Sequence, residues 1–196
     1  MKKLFSLILL SFIGLSYVNA QKHSVGISYD YICDGGAIRF AMLAGASSYH
    51  HIQGNKIGLV YSYQMSDHFS LNSGLQYQQN WMQTRNISST GELQTWDFKV
   101  ETINVPFLLH ANILKYLFAE AGPLLNLQTN DVDAYGTDQQ SGIGFSLAAG
   151  IQYHYNQFRV LIKPQSQIQS IIPFQKENYH SRIISNSISV ALTYSF

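Results

Sequence analysis

Seven histidines are the side chains of this sequence best suited to chemistry, and their placement argues against it. His50 and His51 are adjacent, which on a strand points them to opposite faces, while His23, His68, His110, His154 and His180 are scattered. No Cys/His or carboxylate spacing approaches a zinc motif. Cys33 is the only cysteine, so no intrachain disulfide can form, and beside Asp34 and Gly35 it fits a small half-buried residue near a rim. Glu120, His154 and a serine supply the residue types of an acid–base–nucleophile set. Serine is so abundant that such a pairing has little weight without geometry. Apart from Gly35-Gly36 the glycines fall singly, and no Gly-rich phosphate loop is present. No catalytic residue, cofactor or metal is expected.

The elements that would position these residues are strands. In the last ten residues Ile188, Val190, Leu192, Tyr194 and Phe196 alternate with Ser189, Ala191, Thr193 and Ser195, giving one apolar face and one small or polar face. The alternation recurs over 25–31, 57–65, 69–81, 143–155 and 158–162. Opposite Phe69, Leu71, Leu75 and Tyr77 stand Ser70, Asn72, Gly74, Gln76, Gln78 and Asn80, a face suited to a wet lumen. A strand over about 96–110 shifts phase near Thr102, from Phe98 and Val100 to Ile103, Val105, Phe107 and Leu109. Either a β-bulge or a strand end above a membrane would produce that shift. Pro106 removes a ladder donor for no reason visible in the sequence. A strand over 115–127 has an ambiguous inward face. The total is eight strands. Very short turns near Asp67, Asn112 and Asn156 alternate with long polar connections over 33–56, 84–95, 128–140 and 169–183.

At the front, Lys2 and Lys3 precede an apolar run over 4–13, then Gly14 and the small-residue site Val18-Asn19-Ala20. This is the pattern of a cleaved signal peptide over 1–20, cut between Ala20 and Gln21, leaving one domain over 21–196. The run is too short to span a bilayer as a helix. Taking Lys2 and Lys3 from the 12 basic residues leaves 10 against 11 acidic ones, so no basic excess argues for nucleic acid. Charged residues make up only 12% and aromatics 13%. Soluble domains run nearer about a quarter charged, whereas membrane barrels place aromatics at both interfaces.

A chain ending on SISVALTYSF resembles an outer-membrane β-barrel closing its last strand, in which the terminal aromatic, here Phe196, belongs to the assembly signal. IGLVYSYQMSDHFSLNSGLQYQQN resembles the second hairpin of the PorT-like outer-membrane β-barrel family of Gram-negative bacteria. ETINVPFLLHANI followed by FAEAGPLLNL is similar to its next hairpin, and SGIGFSLAAGIQYHY with the Phe ending extends the likeness over nearly all of the chain beyond the leader. The resemblance implies an all-β fold: an eight-stranded antiparallel up-and-down transmembrane β-barrel, exported through the periplasm to the bacterial outer membrane. Its implied partners are outer-membrane lipid, the barrel-assembly machinery through the C-terminal strand, and an envelope protein through the long loops. The family has no common catalytic residues. Three functions stay open: a non-enzymatic structural, adhesive or secretion-accessory barrel, which is favoured; a lipid-modifying enzyme; and a secreted soluble ligand-binding barrel.

In a membrane barrel Ile57, Leu59, Tyr61, Leu75, Tyr77, Phe145, Leu147, Ile151, Tyr153, Val190, Leu192 and Tyr194 would meet lipid. Gln76, Gln78, Gln152, His154 and Thr193 would point inward, because hydrocarbon cannot hydrogen-bond and a lumen can. Arginine at Leu192 is expected to be costly and at Thr193 milder. Lys99, Glu101, Glu120, Arg159 and Lys163 are expected as lumen ion pairs. A soluble barrel would reverse the faces. The segment 35–46 is either a strand extension above the membrane or a patch folded over the mouth.

Overall fold

A computed structural model describes residues 23–39, 48–87, 92–132, 137–175 and 181–196. The leader expected over 1–20, the expected Ala20–Gln21 junction and residues 40–46 lie outside the described residues. Eight strands follow in order: β1 His23–Arg39, β2 Ser48–Gln64, β3 Phe69–Ile87, β4 Leu93–Asn112, β5 Leu117–Gln128, β6 Gly142–Tyr155, β7 Phe158–Pro173 and β8 Ser181–Ser195. Each pairs antiparallel with its chain neighbours, and β8 returns to β1, so the sheet closes into the expected up-and-down barrel. Closure leaves no unpaired edge.

The register aligns the outward apolar residues into a belt. Tyr29 lies opposite Ile57, Ile57 opposite Tyr77, Tyr77 opposite Ile103 and Ile103 opposite Leu127. On β2, β3 and β4 that course is the belt's upper edge, since Asn55, Gln79 and Glu101 stand on the outer face one step above it, while on β1 the exposed Tyr31 continues the belt. Toward the short turns Tyr61, Tyr63, Phe69, Tyr153, Tyr155, Phe158 and Tyr194 are all exposed, an aromatic girdle of the kind that sits at a bilayer interface.

Above the belt the polarity of the wall inverts. Met82, Val100 and Ile183 form a buried apolar cluster, with Ala37, Tyr49, Phe98 and Val132 packed against it. Asp97, Lys99 and Glu101 face outward here. The β3–β4 register runs without a shift from Ile87 opposite Leu93 to Phe69 opposite Ala111. The phase change at Thr102 is therefore a change of surroundings and not a bulge: Phe98, Val100, Thr102 and Asn104 all point inward. Beyond the lipid belt, water replaces hydrocarbon, and an apolar interior with a charged exterior is again the stable arrangement.

The strands outrun the sequence reading for the same reason. β1 continues to Arg39 and β2 begins at Ser48, so most of the connection expected over 33–56 is strand. Cys33 is exposed at a bulge between Ile32 and Asp34 in the β1–β8 ladder, well inside β1 rather than at a rim. β3 extends to Ile87, β4 starts at Leu93 and β7 reaches Pro173, which shortens the connections expected over 84–95 and 169–183 as well. The uncertain strand β5 turns Phe118, Glu120, Leu124 and Asn126 inward.

Pro106 has a local explanation. The β3–β4 ladder pairs Ser73 with Phe107 and Gln76 with Asn104, but skips the positions between, where Gly74 faces Pro106. The missing N–H of Pro106 falls in that gap. Gly74 also presses on β2, where an added Cβ would stand 2.0 Å from the Leu59 carbonyl oxygen. Backbone cannot yield there, so Gly74→Val is expected to cost about 1–3 kcal/mol. Urea unfolding in lipid vesicles would register the loss.

Candidate functional site

The candidate site is the lumen, where polar groups from all parts of the ring meet. Asp30 and Lys56 stand directly opposite in the β1–β2 register. The Lys56 Nζ lies 2.6 Å from Asp30 Oδ2, with both side chains 1% exposed. The contact is ionic rather than a well-aligned hydrogen bond, and Asp30 Oδ1 has no hydrogen-bond partner. Lower in the lumen Glu120 is held three times. Asn72 Nδ2 donates to its Oε1 at 2.8 Å, His110 Nδ1 meets the same oxygen at 2.9 Å, and Lys163 Nζ pairs with Oε2. His110 stacks on Phe118 with centroids 4.7 Å apart.

A third layer is an amide relay. Asn104 Nδ2 donates to Gln78 Oε1 at 2.8 Å, Asn126 Nδ2 donates to Asn104 Oδ1 at 2.8 Å, and the Ser170 N–H donates to Asn126 Oδ1 at 3.1 Å. Ser170 is at φ 49° where β7 bulges against β6, a left-handed conformation that the Asn126 bond helps hold. At the loop end Gln140 is fully buried; its Oε1 accepts the Ile183 N–H at 3.1 Å and its Nε2 donates to the Ser181 carbonyl at 3.0 Å. The cavity left at mid-lumen, among Ser28, Asn72, Gln76, Glu120 and Lys163, is about 30 Å³, room for a water or two.

The lumen does not assemble the acid–base–nucleophile set. The histidine that meets Glu120 is His110, not His154, and the second nitrogen of His110 lies 3.0 Å from Asn112 Oδ1 rather than from a hydroxyl. His154 stands at the short-turn mouth, near the surface. Among the described residues no group of three or more His, Cys, Asp or Glu could hold a metal ion.

Ile57, Leu59, Tyr61, Leu75, Tyr77, Phe145, Leu147, Ile151, Tyr153, Val190, Leu192 and Tyr194 are exposed on the barrel's exterior. Gln76, Gln78, Gln152 and Thr193 are buried in the lumen. Phe196 closes the last turn, its N–H donating to the His23 carbonyl at 3.0 Å and its ring stacked on His23. Two expected lumen charges are misplaced. Lys99 and Glu101 pair with each other on the outer wall, above the apolar belt. The hydrogen bond between them holds the Lys99 ammonium above its ordinary pKa and the Glu101 carboxyl below. His51, opposite Met82 in the β2–β3 register, is pushed down by burial, with Asp34 opposing. The pair that sequence reasoning missed is Asp30–Lys56. Its signal was the inward phase of Lys56, one residue before Ile57, concealed by assigning 33–56 to a loop.

Residues 24–167 match the outer membrane protein beta-barrel domain family. No curated protein sequence matches the chain. Among solved structures, the crystal structure of the outer membrane protein OprG from Pseudomonas aeruginosa is similar at TM-score 0.56 and 10% identity, over 90% of this chain and 96% of that one. The solid-state NMR structure of the outer membrane protein AlkL in lipid bilayers is similar at TM-score 0.52 and 12% identity, over 91% of each chain. At such identities the likeness shows the fold alone. The apolar exterior around a polar lumen is the inverse of a soluble barrel, which removes the secreted soluble alternative.

Proposed function

Because the chain belongs to the outer membrane protein beta-barrel domain family, we propose that it serves as a non-enzymatic barrel, of the PorT-like kind, either structural or adhesive or accessory to an envelope or secretion assembly. Its place is the bacterial outer membrane. The observation that carries the reading is the filled lumen: Asp30–Lys56, the bonds around Glu120 and the amide relay occupy its cross-section, and the Met82, Val100 and Ile183 cluster stands over them. Among the described residues the gap left at mid-lumen is about 30 Å³, room for a water or two. Transport of a solute is disfavoured by that packing, and acyl transfer by the absence of a hydroxyl on His110.

In this proposal the outward set from Ile57 to Tyr194 meets lipid and the C-terminal strand ending at Phe196 engages the assembly machinery. The leader over 1–20 is removed between Ala20 and Gln21. The loop side is then the face open to an envelope partner, since short turns lie on the periplasmic side. Single-channel recordings of the reconstituted chain are expected to show no large, stable conductance, and lipid A mass spectra are expected to be the same with and without the protein. A steady large conductance would refute the filled-lumen reading. A defined gain or loss of acyl chains would instead establish the enzyme.

A further inference from the structure

We propose that the short-turn mouth of the lumen is a binding vestibule for a compact oxyanion, of phosphate or carboxylate type, centred on Arg159. A cavity of about 160 Å³ opens there between His23, Ser62, Ser70, Asn112, His154 and Arg159, and among the described residues no Asp or Glu side chain lines it. Arg159 is only 9% exposed. Its Nε donates to Thr193 Oγ1 at 3.3 Å, and no carboxylate side chain among the described residues forms an ion pair with it. Glu120, the acidic group that acts on it through space, is already engaged by Lys163, His110 and Asn72.

The charges therefore do not balance. Among the described residues of the belt-level lumen, Lys56, Lys163 and Arg159 face only Asp30 and Glu120. A buried cation without a counter-charge is expensive, and an oxyanion at the mouth supplies one. The guanidinium fork suits such a ligand, because it can donate two parallel bonds to paired oxygens. A second donor is waiting: Ser70 Oγ is buried, lines the same cavity and has no hydrogen-bond partner. The volume accepts a tetrahedral oxyanion together with a few waters.

The test uses the full chain folded in phospholipid nanodiscs, with the Arg159 Nε–H resonance followed while inorganic phosphate, and separately acetate, is added at constant ionic strength against chloride. A saturable shift shared by Arg159 and His154 is expected with phosphate, acetate or both, and the preference between them identifies the ligand's chemistry. In Arg159→Gln the His154 response should weaken about tenfold or more, as follows from losing a charge-assisted hydrogen bond. Heat-modifiable gel mobility verifies that the variant folds. Should it not fold, Arg159→Lys and Ser70→Ala take its place, each with weakened saturation expected. A response that stays linear with both anions, or saturation unchanged in the variants, would overturn the site.

Discussion

Lys56→Met is expected to destabilise the barrel by about 3–5 kcal/mol, the cost of leaving one member of a buried ion pair alone. Asp30 would be left with 1% of its side chain exposed and without the ammonium that faces it. The companion variant, Asp30→Asn with Lys56→Met, removes both charges and should recover most of the loss, since replacing a whole buried pair by neutral groups is often close to neutral. Urea unfolding in lipid vesicles, followed by the fluorescence of Trp81 and Trp96, measures both. A single variant within about 1 kcal/mol of the wild type would mean that lumen water already solvates Asp30.

Leu192→Arg is expected to cost about 2–4 kcal/mol, the range for a cation on the lipid face near the bilayer midplane. Leu192 lies opposite Ile27 on one side and Val160 on the other, with outward apolar residues above and below it. The neighbouring position does not offer the relief that alternation alone suggests. Thr193 is 1% exposed and its hydroxyl accepts the Arg159 Nε–H, so a second guanidinium there would press against the first. Thr193→Arg should therefore be at least as damaging as Leu192→Arg, while Thr193→Ser should be nearly silent. The same unfolding measurement orders the three; a tolerated Leu192→Arg would displace the belt from this course of residues.

What was legible in the sequence was whatever hydrocarbon enforces. Rows such as Leu75 and Tyr77, or Val190 and Leu192, must be apolar at every second position, so face, strand count and closure could be read directly. The structure's remaining features depend on where hydrocarbon stops. Outside the belt, β2 shows Asn55 and Gln53 on its outer face, the period-two signal vanishes, and continuing strand looks like loop. Lys99 and Glu101 were expected inside because charge is excluded from lipid, yet they stand outside the barrel where lipid has already ended. The Asp30–Lys56 and Glu120–His110 contacts join residues 26 and 10 positions apart, through registers that no single strand encodes.

The inversion of polarity along the wall also bears on how this chain can drift. In β4, Val100 and Asn104 are both fully buried and share a phase, yet one sits among apolar side chains and the other in an amide relay. Glu101 and Ile103 share the opposite phase and have opposite requirements. A single substitution matrix applied along this strand would score half of it backwards. Tolerance at each position is set jointly by depth and by face, so an aliphatic residue neutral at one level is a defect two residues away.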